Sequence, residues 1–265
     1  MFDSIVPAPS QRSGSKFINI ITFLESRFVL RLAKCFATAV FTVNPELKKE
    51  LIRLGINDKK VLLSKNGLFI NRIDKITNQR KKNYDAAYMG RITENKGIFD
   101  LIFVWSKVVK KYPEFKLVIM GTGRADVVER LRKEIKRKKL EQNIDYLGYV
   151  TGDKKYQVFK SSKIFIFLSK VNADESWGIS LMEALACGLP AFTYDLPIYN
   201  HVYEKNLLLK SKISDTDSVV SEILFMIKNE KKRRKLSERS VTFAKQFDWL
   251  KIAQNDLSVL KKLLT

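Results

Sequence analysis

ESWGISLMEALACGLP, Glu175 to Pro190, comes shortly after the apolar run KIFIFLS, Lys163 to Ser169. The run is too short for a buried helix and rich in β-branched and aromatic residues, so it reads as a strand. Gly178 then opens an apolar helix that Gly188 and Pro190 close, and AFTY, Ala191 to Tyr194, reads as the next strand. Strand, helix and strand in close succession predict a parallel sheet covered by helices. Two carboxylates, Glu175 and Glu183, bracket the helix start. Glu183 is the more demanding of the two, because an unpaired charge inside ISLMEALAC is costly to bury.

The same alternation extends in both directions. Strands are expected at Thr38–Val43, Val61–Ser64, Tyr84–Gly90, Lys116–Gly121, Ile144–Gly148, Ile164–Ser169, Ala191–Tyr194 and Leu207–Lys210. Asn44 and Pro45 form an N-cap and first-turn pair for one intervening helix, which ends near Gly55, and IFDLIFVWSKVVKKY is apolar at helical spacing until Pro113. RADVVERLRKEIKRKKL sets Val127, Val128, Leu131 and Ile135 on one face and basic groups on the other. The fold class is therefore α/β, a Rossmann-like parallel sheet flanked by helices. Asn71 to Asn83, NRIDKITNQRKKN, is polar and aperiodic and marks the expected hinge between an early segment and the long βα series.

Composition bounds the function. With 265 residues, 45% of them hydrophobic, the chain has ample material for a packed core. Two cysteines, Cys35 and Cys187, make neither a disulfide framework nor a four-ligand zinc site, which fits a reducing cytosol. The net charge of +21 must either repel, be neutralised by a partner or lie against an anionic surface. Nucleic acid is an unfavoured partner, because the Lys and Arg are spread over nearly every helix with no recognised binding motif. Phe17 to Phe36 mixes Phe, Ile and Leu with Arg27, Arg31 and Lys34, which suits either an interfacial helix on an anionic membrane or one packed on neighbouring elements. The charges argue against a span, and the first residues lack the basic and apolar regions of a secretory signal.

In an open α/β sheet, ligands bind beyond the carboxyl ends of the strands. The loops there are RITENKG with Arg91 and Lys96, GTGR with Gly121 and Gly123, GYVTGDKK, and SKVNADESWGIS. Two cations, a glycine pair and a helix N-terminus at Gly178 to Ser180 suit a phosphate, while carboxylates suit sugar hydroxyls. The combination fits a nucleotide sugar. Taken singly, Arg91 and Lys96 also read as solvated turn residues, Glu175 as a complement to a helix dipole, and a GxG as an ordinary βα turn. DTD at Asp215 to Asp217 spells a metal-binding string but stands where a helix N-cap is needed, and His201, the only histidine, reads as an ordinary surface or partly packed residue.

GRITENKGIFDLI, FKLVIMGTG, IDYLGYV, FLSKVNADESWGISLMEALACGLPAF and AKQFDWLKIA, in this order, resemble the nucleotide-sugar-binding half of family 4 glycosyltransferases of the GT-B fold. Glu175 and Glu183 match that family's E-x7-E motif. The resemblance implies Arg91 and Lys96 on the donor diphosphate, Glu175 on the sugar hydroxyls, the backbone of Gly178, Ile179 and Ser180 near the phosphate, and Glu183 on the ribose. Glu175, Arg91 and Lys96 are then the catalytic candidates, with Gly90, Gly121, Gly123, Tyr149 and Trp177 along the same donor-binding rim. It also implies retention of anomeric configuration, no metal or other cofactor, and a glycan or lipid-linked acceptor met in the cytoplasm or on the inner face of the membrane.

KCFATAVFTVNPELKKELIRLGINDKKVLLSKNGLF resembles only the tail of that family's N-terminal acceptor domain. The expected organisation is residues 1–75 as a remnant of that domain, 76–248 as the nucleotide-sugar-binding domain and 249–265 as a C-terminal helix. A partner carrying the acceptor half, or self-association, follows as an expectation, with a donor-binding subunit lacking activity of its own as the alternative.

Overall fold

The structure, a computed structural model, describes residues 27–43, 45–77, 82–172, 175 and 177–264. Two compact units emerge, one from the described parts of Met1–Gly67 and Trp249–Thr265, the other Leu68–Asp248.

In the first unit, helix α1 (27–36) leads to β1 (Val40–Thr42), α2 (Pro45–Arg53) and β2 (Val61–Leu63). The two strands pair in parallel with Val40 opposite Val61. Val40, Leu51, Ile56 and Val61 form a small core against which Leu30, Ala33 and Leu47 pack. The helix Trp249–Leu264 belongs to this unit: Ser64 Oγ donates to Asp256 Oδ2 at 2.5 Å. A Cβ on Gly67 would stand 2.6 Å from the Trp249 ring, so only glycine lets the indole lie against this backbone.

The second unit contains α3 (Ile70–Lys75), β3 (Tyr84–Met89), α4 (Ile98–Lys111), β4 (Leu117–Met120), α5 (Ala125–Arg137), β5 (Ile144–Gly148) and α6 (Gly152–Lys160). It continues with β6 (Ser162–Phe167), α7 (Ile179–Ala186), β7 (Ala191–Tyr194), α8 (Pro197–Val202), β8 (Leu209–Ser211), α9 (Thr216–Lys228) and α10 (Glu230–Ala244). Among the described residues the six strands form one sheet in the order β5-β4-β3-β6-β7-β8, every pair parallel. Strand β4 is buried throughout, as is β7, which is why neither alternates polar and apolar residues. Helix α4 covers the sheet with Ile98, Leu101, Ile102, Val104, Trp105 and Val108, whereas α5 buries only Leu131 and Ile135.

Each of the eight expected strands is present, with ends shifted by at most a few residues. The expected aperiodic hinge contains a helix instead: α3 takes Ile70 and Ile73 into the core, and six residues are too few to establish a helical period. The two units divide at Gly67 and again at Asp248, and the last helix groups with the early strands. Expectations for Asn44 as an N-cap, for residues 17–26 and for 78–81 of the hinge fall outside the described residues.

Candidate active site

Strand order reverses between β3 and β6, so the chain leaves these neighbours toward opposite sides and opens a crevice at their carboxyl ends. After β3, Tyr88 Oη donates to Arg91 O at 2.9 Å, and Thr93 Oγ1 accepts from Lys96 N at 3.4 Å to cap a short 3-10 turn, Glu94–Lys96. That turn ends at Gly97, with φ of 69°, where a Cβ would lie 1.9 Å from Leu168 O. Glycine is therefore needed twice, for the left-handed backbone and for the close approach of the segment after β6. Lys170 N donates to Asn95 O at 2.8 Å, joining the two loops. Across this junction the Lys96 ammonium donates to Glu175 Oε1, and both side chains are buried.

Helix α7 begins beside this pair. Gly178 caps it at φ 61° with no side-chain cap, which leaves first-turn N–H groups that no helical carbonyl can accept. The segment before it is held from α8: Ile198 N donates to Asn172 Oδ1 at 2.9 Å and Tyr203 Oη to Trp177 O at 2.6 Å. The Trp177 ring meets Phe247 edge-on, 5.1 Å between centroids. One turn into α7, Glu183 Oε1 accepts from Lys155 Nζ at 2.5 Å and from Tyr156 Oη at 3.0 Å, both on α6.

Burial dominates the electrostatics. It pushes the hydroxyls of Tyr88, Tyr199 and Tyr203 above the usual tyrosine range, and the negative Glu175 adds to the shift of all three. Burial likewise raises Tyr156, reinforced by its contact with Glu183. The Cys187 thiol is pushed up to about 12, first by burial, with lysine charge opposing and Glu183 adding, so it is an un-ionised core group at neutral pH.

Of the residues expected from the sequence, Lys96, Glu175, Trp177 and Gly178 to Ser180 come together at the crevice, and Arg91 is exposed on the same loop as Lys96. Tyr149, 76% exposed, follows β5 at the same rim. Gly121 and Gly123 have a packing role apart from any ligand. Their added Cβ atoms would lie 1.9 Å from Gly90 O and 2.2 Å from Ile92 O, so they let the loops after β3 and β4 stack. Sequence reasoning singled out none of Lys155, Tyr156, Tyr199 and Tyr203, which stand within or at the end of helices α6 and α8, although the rim loop GYVTGDKK ends on Lys155. Asp215 is an N-cap, its carboxylate accepting from Ser218 N at 3.1 Å, and Asp217 pairs with Lys107.

The family model "Glycosyl transferases group 1" matches residues 69–242, well over half of the chain. Poly(glycerol-phosphate) alpha-glucosyltransferase of Bacillus subtilis is 26% identical over 71% of this chain and 27% of its own length. Phosphatidyl-myo-inositol mannosyltransferase of Mycobacterium tuberculosis is 26% identical over 66% of this chain and 46% of its own. Among solved structures, Anabaena HepE in complex with UDP and glucose superposes with a TM-score of 0.76 at 20% identity, over 89% of this chain and 66% of that one. The chain thus spans less than two thirds of each of these relatives. Sheet order, the crevice between β3 and β6 and the family match over that same unit agree: the chain belongs to the glycosyl transferases group 1 family.

Proposed function

We propose that this chain binds a nucleoside diphosphate sugar at the β3/β6 crevice and serves a retaining, metal-independent hexosyltransferase of family 4 that acts on a glycan or lipid-linked acceptor. The observation that carries the reading is the Lys96–Glu175 pair beside the α7 N-terminus, a cation, a carboxylate and a helix start without a side-chain cap at one switch point. In this reading Arg91, Lys96 and the α7 N-terminus stabilise charge on the departing diphosphate as its bond to the anomeric carbon breaks. Glu175 orients the sugar hydroxyls and Glu183 holds the ribose. The acceptor oxygen bonds to the anomeric carbon on the face the diphosphate leaves, and its proton passes to a phosphate oxygen. Where the chain's own residues do not supply an acceptor wall, a partner protein or a second copy does.

Calorimetry with UDP- and GDP-sugars tests the reading. Saturable binding is expected, and Glu183→Ala should weaken it about ten- to a hundredfold, the loss of hydrogen bonds to a charged acceptor. Saturation by none of these donors overturns the assignment.

We also infer peripheral attachment to an anionic membrane surface. Phe28, Leu32 and Phe36 are exposed at four-residue spacing along α1, Phe36 by 80%, with Arg27, Arg31 and Lys34 exposed on the same helix. No helix among the described residues is long and apolar enough to cross a membrane. Equal partition onto neutral and anionic vesicles, or none onto either, refutes the attachment.

A further inference from the structure

Tyr199 stands in α8 between two ties to the segment that carries Glu175. Its predecessor Ile198 donates to Asn172 Oδ1, Asn172 O accepts from Glu175 N at 3.1 Å, and Tyr203 donates to Trp177 O. The Tyr199 ring is 1% exposed and meets Tyr203 edge-on at 5.8 Å between centroids. Tyr88 and Tyr203 spend their hydroxyls on backbone carbonyls, but the buried Tyr199 hydroxyl has no hydrogen-bond partner among the described residues. A buried unpaired donor is unfavourable, and such a group in a native chain asks for a reason.

Glu175 supplies one. Its carboxylate is buried and tied through Oε1 to Lys96, and its charge reaches Tyr199, raising that hydroxyl above the usual range after burial has done so. An anionic ligand in the crevice competes for the Lys96 ammonium. Drawing Lys96 away would strand a buried carboxylate, a strongly unfavourable state unless another donor replaces the lysine.

We propose that Tyr199 is a positioning residue for Glu175: when Lys96 turns to an anionic ligand, the Tyr199 hydroxyl takes over as hydrogen-bond donor to the Glu175 carboxylate and holds it in place. Only the nature of the ligand, a nucleoside diphosphate, rests on the donor-binding reading. The exchange itself is a property of three side chains.

The test needs no ligand at first. Tyr199→Phe in the otherwise unchanged chain should leave Tm unaltered or raise it, because the hydroxyl has no hydrogen bond to lose and its unpaired burial is unfavourable. In a Lys96→Met background the same change should lower Tm by about 4 to 10 °C, the loss of a hydrogen bond to a charged group. Equal shifts in the two backgrounds overturn the proposal. So does failure of Lys96→Met to fold while Tyr199 is present, since the hydroxyl should then sustain Glu175. With UDP as the probe, Tyr199→Phe alone should bind about tenfold more weakly at a Tm no lower than that of the unchanged chain, and undiminished affinity counts against the exchange. Should the wild-type chain bind neither UDP nor any nucleotide sugar, the donor reading falls while the stability comparison still decides the exchange.

Discussion

Glu175 and Glu183 are each 6% exposed and each pairs with a lysine, yet their surroundings differ in kind. Glu175 lies in a loop, and its lysine is buried with it. Glu183 is fixed in a helix, shares its carboxylate oxygen with a tyrosine, and its Lys155 keeps 18% of its side chain in solvent. A buried pair is costly to break by removing its carboxylate, because the lysine buried with it has little access to water. A pair with one member near water has an escape, because a lysine can extend its ammonium into solvent. Equal burial of two acids therefore does not mean equal dependence on their partners.

Single and paired replacements sharpen that contrast. Glu175→Leu removes the carboxylate paired with the buried Lys96 and should lower stability by about 3–5 kcal/mol in urea unfolding, whereas Glu175→Leu with Lys96→Met should recover most of the loss. Glu183→Leu should cost less, about 1–3 kcal/mol, since Lys155 can turn outward and Tyr156 loses one acceptor. A cost for Glu183→Leu as large as that for Glu175→Leu would erase the distinction. Tyr156→Phe should cost only about 0.5–1.5 kcal/mol, because Lys155 still serves Glu183.

The smallest effect concerns Cys187, which is buried at the far end of α7 near Glu183. Its thiol is raised in the folded chain to about 12. In the unfolded chain it ionises near about 8.5. The stabilisation is thus fully present below the unfolded value and is lost as pH rises from there toward the folded one. Cys187→Ala should remove that part of the alkaline decline, read as a smaller drop in urea midpoint between neutral pH and pH of about 9.5 than in the unchanged chain. An identical decline would mean that the thiol is not held protonated.

Much of the fold was legible locally. Short apolar runs between amphipathic stretches located all eight strands, most plainly β4 and β7, which are buried throughout and need continuous apolar sequence. The helix at Ile70–Lys75 escaped because two buried isoleucines among polar neighbours establish no period. The site was legible in part. Glu183 announced itself as a charge in an apolar helix, but nothing in the local sequence named Lys155 and Tyr156 as its partners.

The sequence by itself determined the alternation of strand and helix, the parallel sheet it requires and the rim where loops collect, since each follows from local periodicity and chain connectivity. Only the tertiary structure decided that Lys96 meets Glu175, 79 positions along the chain, that the Tyr199 hydroxyl finds no hydrogen-bond partner among the described residues, and that Gly97, Gly121 and Gly123 serve close backbone contacts. Those outcomes depend on strand order and on the distance between segments far apart in sequence. Neither is written in the neighbourhood of any one residue.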